Sequence, residues 1–367
     1  MRRTFLRVVL ALFLVAVSFA GHAQVGVGPV GQTGSDPEVL ADEAVTSWLS
    51  TDVVALAELS RLDAETICET LPSLLAAPPP PSGTDVQLDD RQLRPTDDAD
   101  LLRYTYAAEV PPNRLEVVEV LLSREGDSWR VERVGFQLPA TTGRSWLNTP
   151  QAGFAFIFLS LLFTLGAFRP TLVRRGLELG AEALREHRRL VVWTMVLGWS
   201  IVFFGFWTGS QLPDACEEAV ILVLGGALEQ VGATAALASG DIARTAAVIF
   251  YQNFAVVTLT VLFGSALLFG IPAYLVAGLS FFAQTTAFGV LGLGSGVGLL
   301  AIVILMILEF TAYFLIVAGG GMLVATLARG GFQALGVAYR KLFAMLPWAA
   351  ALLLVGAWYE AILLLAF

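Results

Sequence analysis

The chain has 367 residues, 56% of them hydrophobic and only 14% charged, with a mean hydropathy of +0.72, which excludes an ordinary soluble protein. Its net charge is −9, and a nucleic-acid footprint, which needs a basic face, is excluded with it. The acidity is local, because residues 24–150 hold 21 acids against 9 arginines.

The chain opens with Arg2, Arg3 and Arg7, followed by an apolar run from Val8 to Ala20 and the small residues around Gly21-His22-Ala23. That order of basic, apolar and small predicts a secretory signal peptide over residues 1–23, with an uncleaved anchor as the alternative. Either way Gln24 emerges outside the cytoplasm. Residues 24–149 then read as an acidic extracytoplasmic α+β domain. Ser35-Asp36-Pro37 offers a helix cap with proline at the first helical position, and Leu40, Ala44, Val45 and Trp48 recur behind it at helical spacing. Further short helices are predicted over Val53 to Leu62 and Asp63 to Leu75, with a break at Pro78 to Pro81. Beyond an acidic loop, three runs rich in β-branched and aromatic residues predict strands: Leu101 to Val110, Leu115 to Ser123 and Ser128 to Leu138.

After Pro150 six segments are apolar enough to span a bilayer: Ala152–Phe168, Leu190–Gly209, Thr245–Phe269, Pro272–Leu291, Leu299–Ala328 and Phe343–Phe367. The fold class expected is an α-helical polytopic membrane protein of about six transmembrane helices, carrying a small α+β domain at its N-terminus. The loop between the first two segments carries Arg169, Arg174, Arg175, Arg185, Arg188 and Arg189, and that between the last two carries Arg329, Arg340 and Lys341. The positive-inside rule puts both in the cytoplasm, and alternation of six spans from an external N-terminal domain does the same. The basic loop reads either as orientation charge or as a helix for the membrane surface or a partner.

Polar residues inside these segments are few. Glu309 lies roughly 15 Å below the outer end of the fifth span and Glu360 roughly 10 Å below that of the sixth, at 1.5 Å per residue. Gln252 and Asn253 on the third and Gln284 on the fourth fall at a similar depth, so one polar layer is expected in the outer half of the bilayer. Two uses compete for it: a site for a substrate, a proton or a partner's segment, or a hydrogen-bonded joint between helices.

Three stretches resemble a known family. FYQNFAVVTLTVLFGSALLFG (Phe250 to Gly270) is similar to the asparagine-bearing helix of the stage II sporulation protein M family, ILEFTAYFLIVAGGGML to its glutamate-bearing helix, and LLLVGAWYEAILLLAF to its last helix. Asn253, Glu309 and Glu360 are the positions that carry over, while Leu305 and Met306 stand where that family often has histidine and glycine. The resemblance covers residues 150–367 and implies a polytopic envelope protein without enzymatic activity or cofactor, working with peptidoglycan-remodelling enzymes. It also implies a distant likeness to ABC-exporter permeases, whose partner would be a separate ATPase. The ending GDSWRVERVGFQL, in turn, resembles the last hairpin of NTF2-like cone-shaped domains, which bind or pack. The two readings that follow are a non-enzymatic scaffold or assembly component of a cell-envelope complex in the cytoplasmic (inner) membrane, and a permease-like subunit. Membrane lipid and other envelope proteins are the partners expected, and self-association is left open.

The residues themselves argue the same way. After signal removal the one histidine is His187, in the basic loop, so an external Ser-His pair, an HExxH zinc site or a histidine cluster has no material. Lys341 follows no glycine-rich loop, so a Walker A site is missing too. Gly292 to Gly298 reads as a turn rather than a dinucleotide motif, since no βαβ unit frames it. Cys68 and Cys216 both fall outside the cytoplasm, where disulfides persist; they read as a bridge or as two buried thiols.

Overall fold

The computed structural model describes residues 31–50, 65, 66, 68, 80–94, 96, 99–112, 114–136, 145–221, 224, 233–292 and 296–366. The signal peptide, the helix expected over Val53 to Leu62 and most of that over Asp63 to Leu75 lie outside the described residues. The chain forms two compact units, one within residues 1–140 together with 212–224, the other of residues 141–211 with 225–367.

In the first unit the strand β1 (Thr33–Gly34) leads into helix α1 (Pro37–Leu49). Asp36 caps α1 as its sequence predicts, accepting from the Glu38 N–H at 3.0 Å, with Pro37 in the first turn. Strands β2 (Asp85–Arg94), β3 (Leu101–Val110), β4 (Arg114–Glu125) and β5 (Ser128–Phe136) complete an antiparallel sheet in the order β1-β5-β4-β3-β2. β2 occupies the stretch expected to be an acidic loop. It pairs on one side only, against β3, and its charged side chains suit an open edge, which explains why its sequence lacks the strand signature.

Alternation decides which face of the sheet is buried. Tyr104, Tyr106 and Ala108 on β3 and Val118, Val120 and Leu122 on β4 point to the core, two residues apart each. On β5 the buried pair is Val131 and Val134, three apart. The register explains this: Val131 faces Leu122 and Arg133 faces Leu121, so Glu132 is an extra residue that resets the alternation. Over this face α1 lays Leu40, Ala41, Ala44, Val45 and Trp48, the last in edge contact with Phe136.

The second unit begins at a short 3-10 turn (Ser145–Asn148) and contains α2 (Pro150–Phe168), α3 (Leu172–Glu186), α4 (Arg188–Gly209), α5 (Ala233–Ala238) and α6 (Ile242–Phe250). A π segment (Tyr251–Phe263) and α7 (Gly264–Leu267) continue α6, followed by α8 (Ile271–Leu291), α9 (Gly296–Gly330), a 3-10 turn (Gly331–Ala334), α10 (Leu335–Phe343) and α11 (Leu346–Ala366). Five stretches are long and apolar enough to cross a membrane: Pro150–Phe168, Arg188–Gly209, Ile242–Leu267, Ile271–Leu291 and Gly298–Leu365, the last taking in both α9 and α11. Phe154, Phe158, Trp193 and Phe203 each expose more than 60% of their surface. Such side chains in such numbers suit a membrane protein with lipid around these helices.

Packing fixes the direction of each helix. Phe156 meets Phe250 and Gly153 meets Arg244, so α2 and α6 run parallel. Asn253 meets Glu309 and Ala266 meets Gly320, so the π-bearing helix runs parallel to α9. Tyr359 reaches Ala301 and Met345 lies at Gly319, so α11 is antiparallel to α9. α4 opposes α9 as well, through Leu190 at Gly321 and Gly198 at Phe314, and runs parallel to α8, where Thr194 bonds Tyr274 and Gly209 meets Gly289. The long helices α2, α4, α6, α8, α9 and α11 thus alternate in direction along the chain. Between α7 and α8 the reversal takes three residues, Leu268 to Gly270, of which Phe269 and Gly270 have positive φ (59° and 75°), and a Cβ at Gly270 would overlap the Gly320 carbonyl.

Candidate functional site: a polar cluster between three helices

The π segment is what brings the asparagine to bear. In an α-helix a threonine hydroxyl reaches the carbonyl four residues back, as Thr208 does to Phe204 and Thr285 to Phe281. Here Thr258 donates to the carbonyl of Asn253 at 2.7 Å and Thr260 to that of Ala255 at 2.9 Å, each five back. The hydroxyls therefore follow the wider i→i+5 ladder, which in other proteins is mostly a single turn and often marks a functional site.

From this segment Asn253 Nδ2 donates to Glu309 Oε1 of α9 at 2.5 Å. The Glu309 carboxyl in turn faces that of Glu360 on α11, within side-chain hydrogen-bonding reach. Gly356, one turn before Glu360, lies beside the pair: a Cβ there would sit 3.7 Å from Glu309 Cγ, an ordinary contact. The same stretch of α11 is held by Trp358, whose Nε1–H donates to Ser160 Oγ at 3.1 Å while its ring stacks on Phe156. Three of the five side chains expected in the polar layer, Asn253, Glu309 and Glu360, thus meet.

The other two do not join this hydrogen-bonded chain. Gln252 Oε1 is buried with no hydrogen-bond partner among the described residues. Gln284 is exposed on α8, while its neighbours Thr285 and Thr286 turn inward and bond the carbonyls of Phe281 and Phe282. Arg244, the nearest cation by sequence, has its Nε buried and likewise unpartnered among the described residues.

Cys68 and Cys216 are bonded to each other, with Sγ–Sγ 2.00 Å and Cα–Cα 4.6 Å, inside the first unit. All six arginines of the basic loop, Arg169, Arg174, Arg175, Arg185, Arg188 and Arg189, are exposed. The loop is mostly helix α3, whose small residues face inward: a Cβ at Gly180 would overlap the Ala344 carbonyl, and Gly176 sits at Pro347.

Two polar clusters have no signature in the sequence. In the first unit Arg91 pairs with Glu38 and with Asp42 (2.6 Å), and Asp42 accepts from the Tyr106 hydroxyl at 2.8 Å. Burial, followed by the bond to Asp42, pushes the Tyr106 hydroxyl pKa up, and the Asp42 bond raises that of Arg91. In the second unit Lys341 Nζ lies 2.6 Å from Glu186 Oε1 and 3.0 Å from His187 Nε2. Its ammonium holds the Glu186 carboxyl below the usual glutamate value. Burial first and Lys341 second hold His187 below the usual histidine value, so the imidazole is neutral and accepts at Nε2.

Among the described residues no group of three or more His, Cys, Asp or Glu is placed to hold a metal. Comparison with protein-family models, with curated proteins and with solved structures found no match.

Proposed function

We propose that this chain is a non-enzymatic integral membrane protein of the cytoplasmic membrane, a scaffold or assembly component of a cell-envelope complex, as the stage II sporulation protein M family it resembles implies. In this reading the chain crosses the bilayer six times with its first unit outside. The alternating helix directions support six crossings, with α9 and α11 as separate spans, and the basic loops at one end support the orientation. The observation that carries the functional reading is the way the polar groups are used. Asn253, Glu309 and Glu360 bond one another across three helices, as a joint does.

A permease-like subunit driven by a separate ATPase is the second reading, and one observation favours it: Gln252 Oε1, buried and without a hydrogen-bond partner among the described residues, beside Asn253 on a 13-residue π segment. Extraction in mild detergent and mass spectrometry of the co-purifying chains tests the choice. Cell-wall enzymes without an ATPase are expected, and a stoichiometric ATPase would overturn the scaffold. The variants Glu309→Gln and Glu360→Gln add a second readout. The amide keeps a hydrogen-bonding oxygen and adds an N–H donor, so each variant should keep its partners and its yield, whereas a proton-coupled transporter would lose its activity.

A further inference from the structure

The end of the second unit where α2 and α9 finish and α4 and α11 begin carries a rim of cations. Arg169 follows α2, Arg175 lies on α3, Arg188 and Arg189 open α4, Arg329 is in the last turn of α9, and Arg340 lies on α10. All six are exposed, and none has an ion-pair partner among the described residues. Pairing does occur where an acid is in reach: Arg174 with Glu178 at 2.8 Å, Lys341 with Glu186 at 2.6 Å. The described acids at this end are Glu178, Glu182 and Glu186, all on α3, too few to neutralise the rest.

Apolar side chains stand in the same rim, open to the surroundings. Phe168 is 78% exposed, Leu172 84% and Phe332 84%, each within four residues of one of these arginines. α3 itself is fastened by its small-residue face and by the bond from Trp348 Nε1–H to the Leu177 carbonyl at 2.9 Å. Arg175 and Leu172 are therefore exposed on a helix that these contacts hold in place. Unpaired guanidiniums alternating with open aromatic and aliphatic groups, at the ends of membrane-length helices, match the region where lipid phosphates meet acyl chains.

We propose that this rim is a binding site for phospholipids with anionic headgroups, the guanidiniums taking the headgroup phosphates and Phe168, Leu172 and Phe332 the upper acyl chain. Arginine suits this task because its planar fork donates two parallel N–H bonds to a phosphate. The site needs the helices to lie in a membrane but not the scaffold reading, so a lipid result leaves the partner experiment undecided and the reverse holds too.

The test is native mass spectrometry of the full chain in detergent with phosphatidylglycerol or phosphatidylcholine added at equal concentration. The wild type should retain phosphatidylglycerol about tenfold better or more, a preference that shrinks as salt rises. The triple variant Arg175→Gln/Arg188→Gln/Arg189→Gln should lose most of it, and the matching Arg→Lys triple should recover part. Helical circular dichroism confirms that each variant is folded; if the glutamine triple does not fold, the wild-type lipid preference and its salt dependence decide alone. Equal retention of both lipids, or an unchanged preference in the folded glutamine triple, would overturn the proposal. Displacement of bound lipid by millimolar inorganic phosphate would assign the rim to a free anion instead, and retention of an acidic protein in place of lipid would assign it to a partner chain.

Discussion

Lys341 shows how much one side chain can hold together. It reaches back 155 residues to Glu186 and 154 to His187, joining α10 to the junction of α3 and α4. Both partners bind fewer protons in the folded chain than unfolded, since each has its pKa lowered, so stability rises with pH across their range. The His187 contribution is complete above 6.5, its ordinary value, and is lost as the pH falls below that; the Glu186 contribution follows below about 4.5. Melting in detergent from pH 8 to pH 5 should show the first loss, and His187→Gln should flatten it. A wild-type melt independent of pH in this window would remove His187 from the joint. Nothing in the sequence places Lys341 beside residues so distant. Glu309 and Glu360 were legible, because an acid inside an apolar run has few permissible surroundings. Gln284 was misplaced for an instructive reason: counting residues gives depth along a helix, but the side of the helix on which a residue sits depends on which face packs. On α8 that face belongs to Thr285 and Thr286.

At the scale of elements, the long apolar helices were legible to within a few residues at most ends, since length and apolarity are strong signals. The β4–β5 hairpin was legible too, with Gly126 in its turn at φ 65°. β2 was hidden by its charges. The π segment was hidden because a uniformly apolar run reads alike at either helical period. The α4–α8 contact could have been found, since Gly205 and Gly209 are four apart and meet Thr285 and Gly289, also four apart. A Cβ at Gly209 would overlap the Thr286 carbonyl, and backbone cannot step aside as a flexible side chain does. Gly209→Leu should therefore cost on the order of 1–3 kcal/mol or more. Gly278→Ala is the control on the same interface, its Cβ 3.6 Å from Ile201 Cδ1, an ordinary contact. Unfolding by graded SDS should separate the two variants clearly; equal stability would mean that the two helices are not in this register.

For the whole molecule, the sequence divided the chain near residue 150, and the structure divides it at 140, returning residues 212–224 to the first unit. That return is made by Cys68 and Cys216, 148 residues apart. Between them the chain passes through α2, α3 and α4. Loss of the bond through Cys68→Ser should cost on the order of 2–5 kcal/mol of stability, read as earlier proteolysis of the first unit in full-length protein. The same bond has a further meaning during synthesis. In the proposed topology Cys68 reaches the oxidising side first and waits with a free thiol while α2 enters the membrane and α4 comes back. Only a chain whose first helical hairpin has turned the right way delivers Cys216 to it. The bonded fraction is thus a covalent record of insertion, and a chain whose hairpin is inverted would carry two thiols for as long as it lasts.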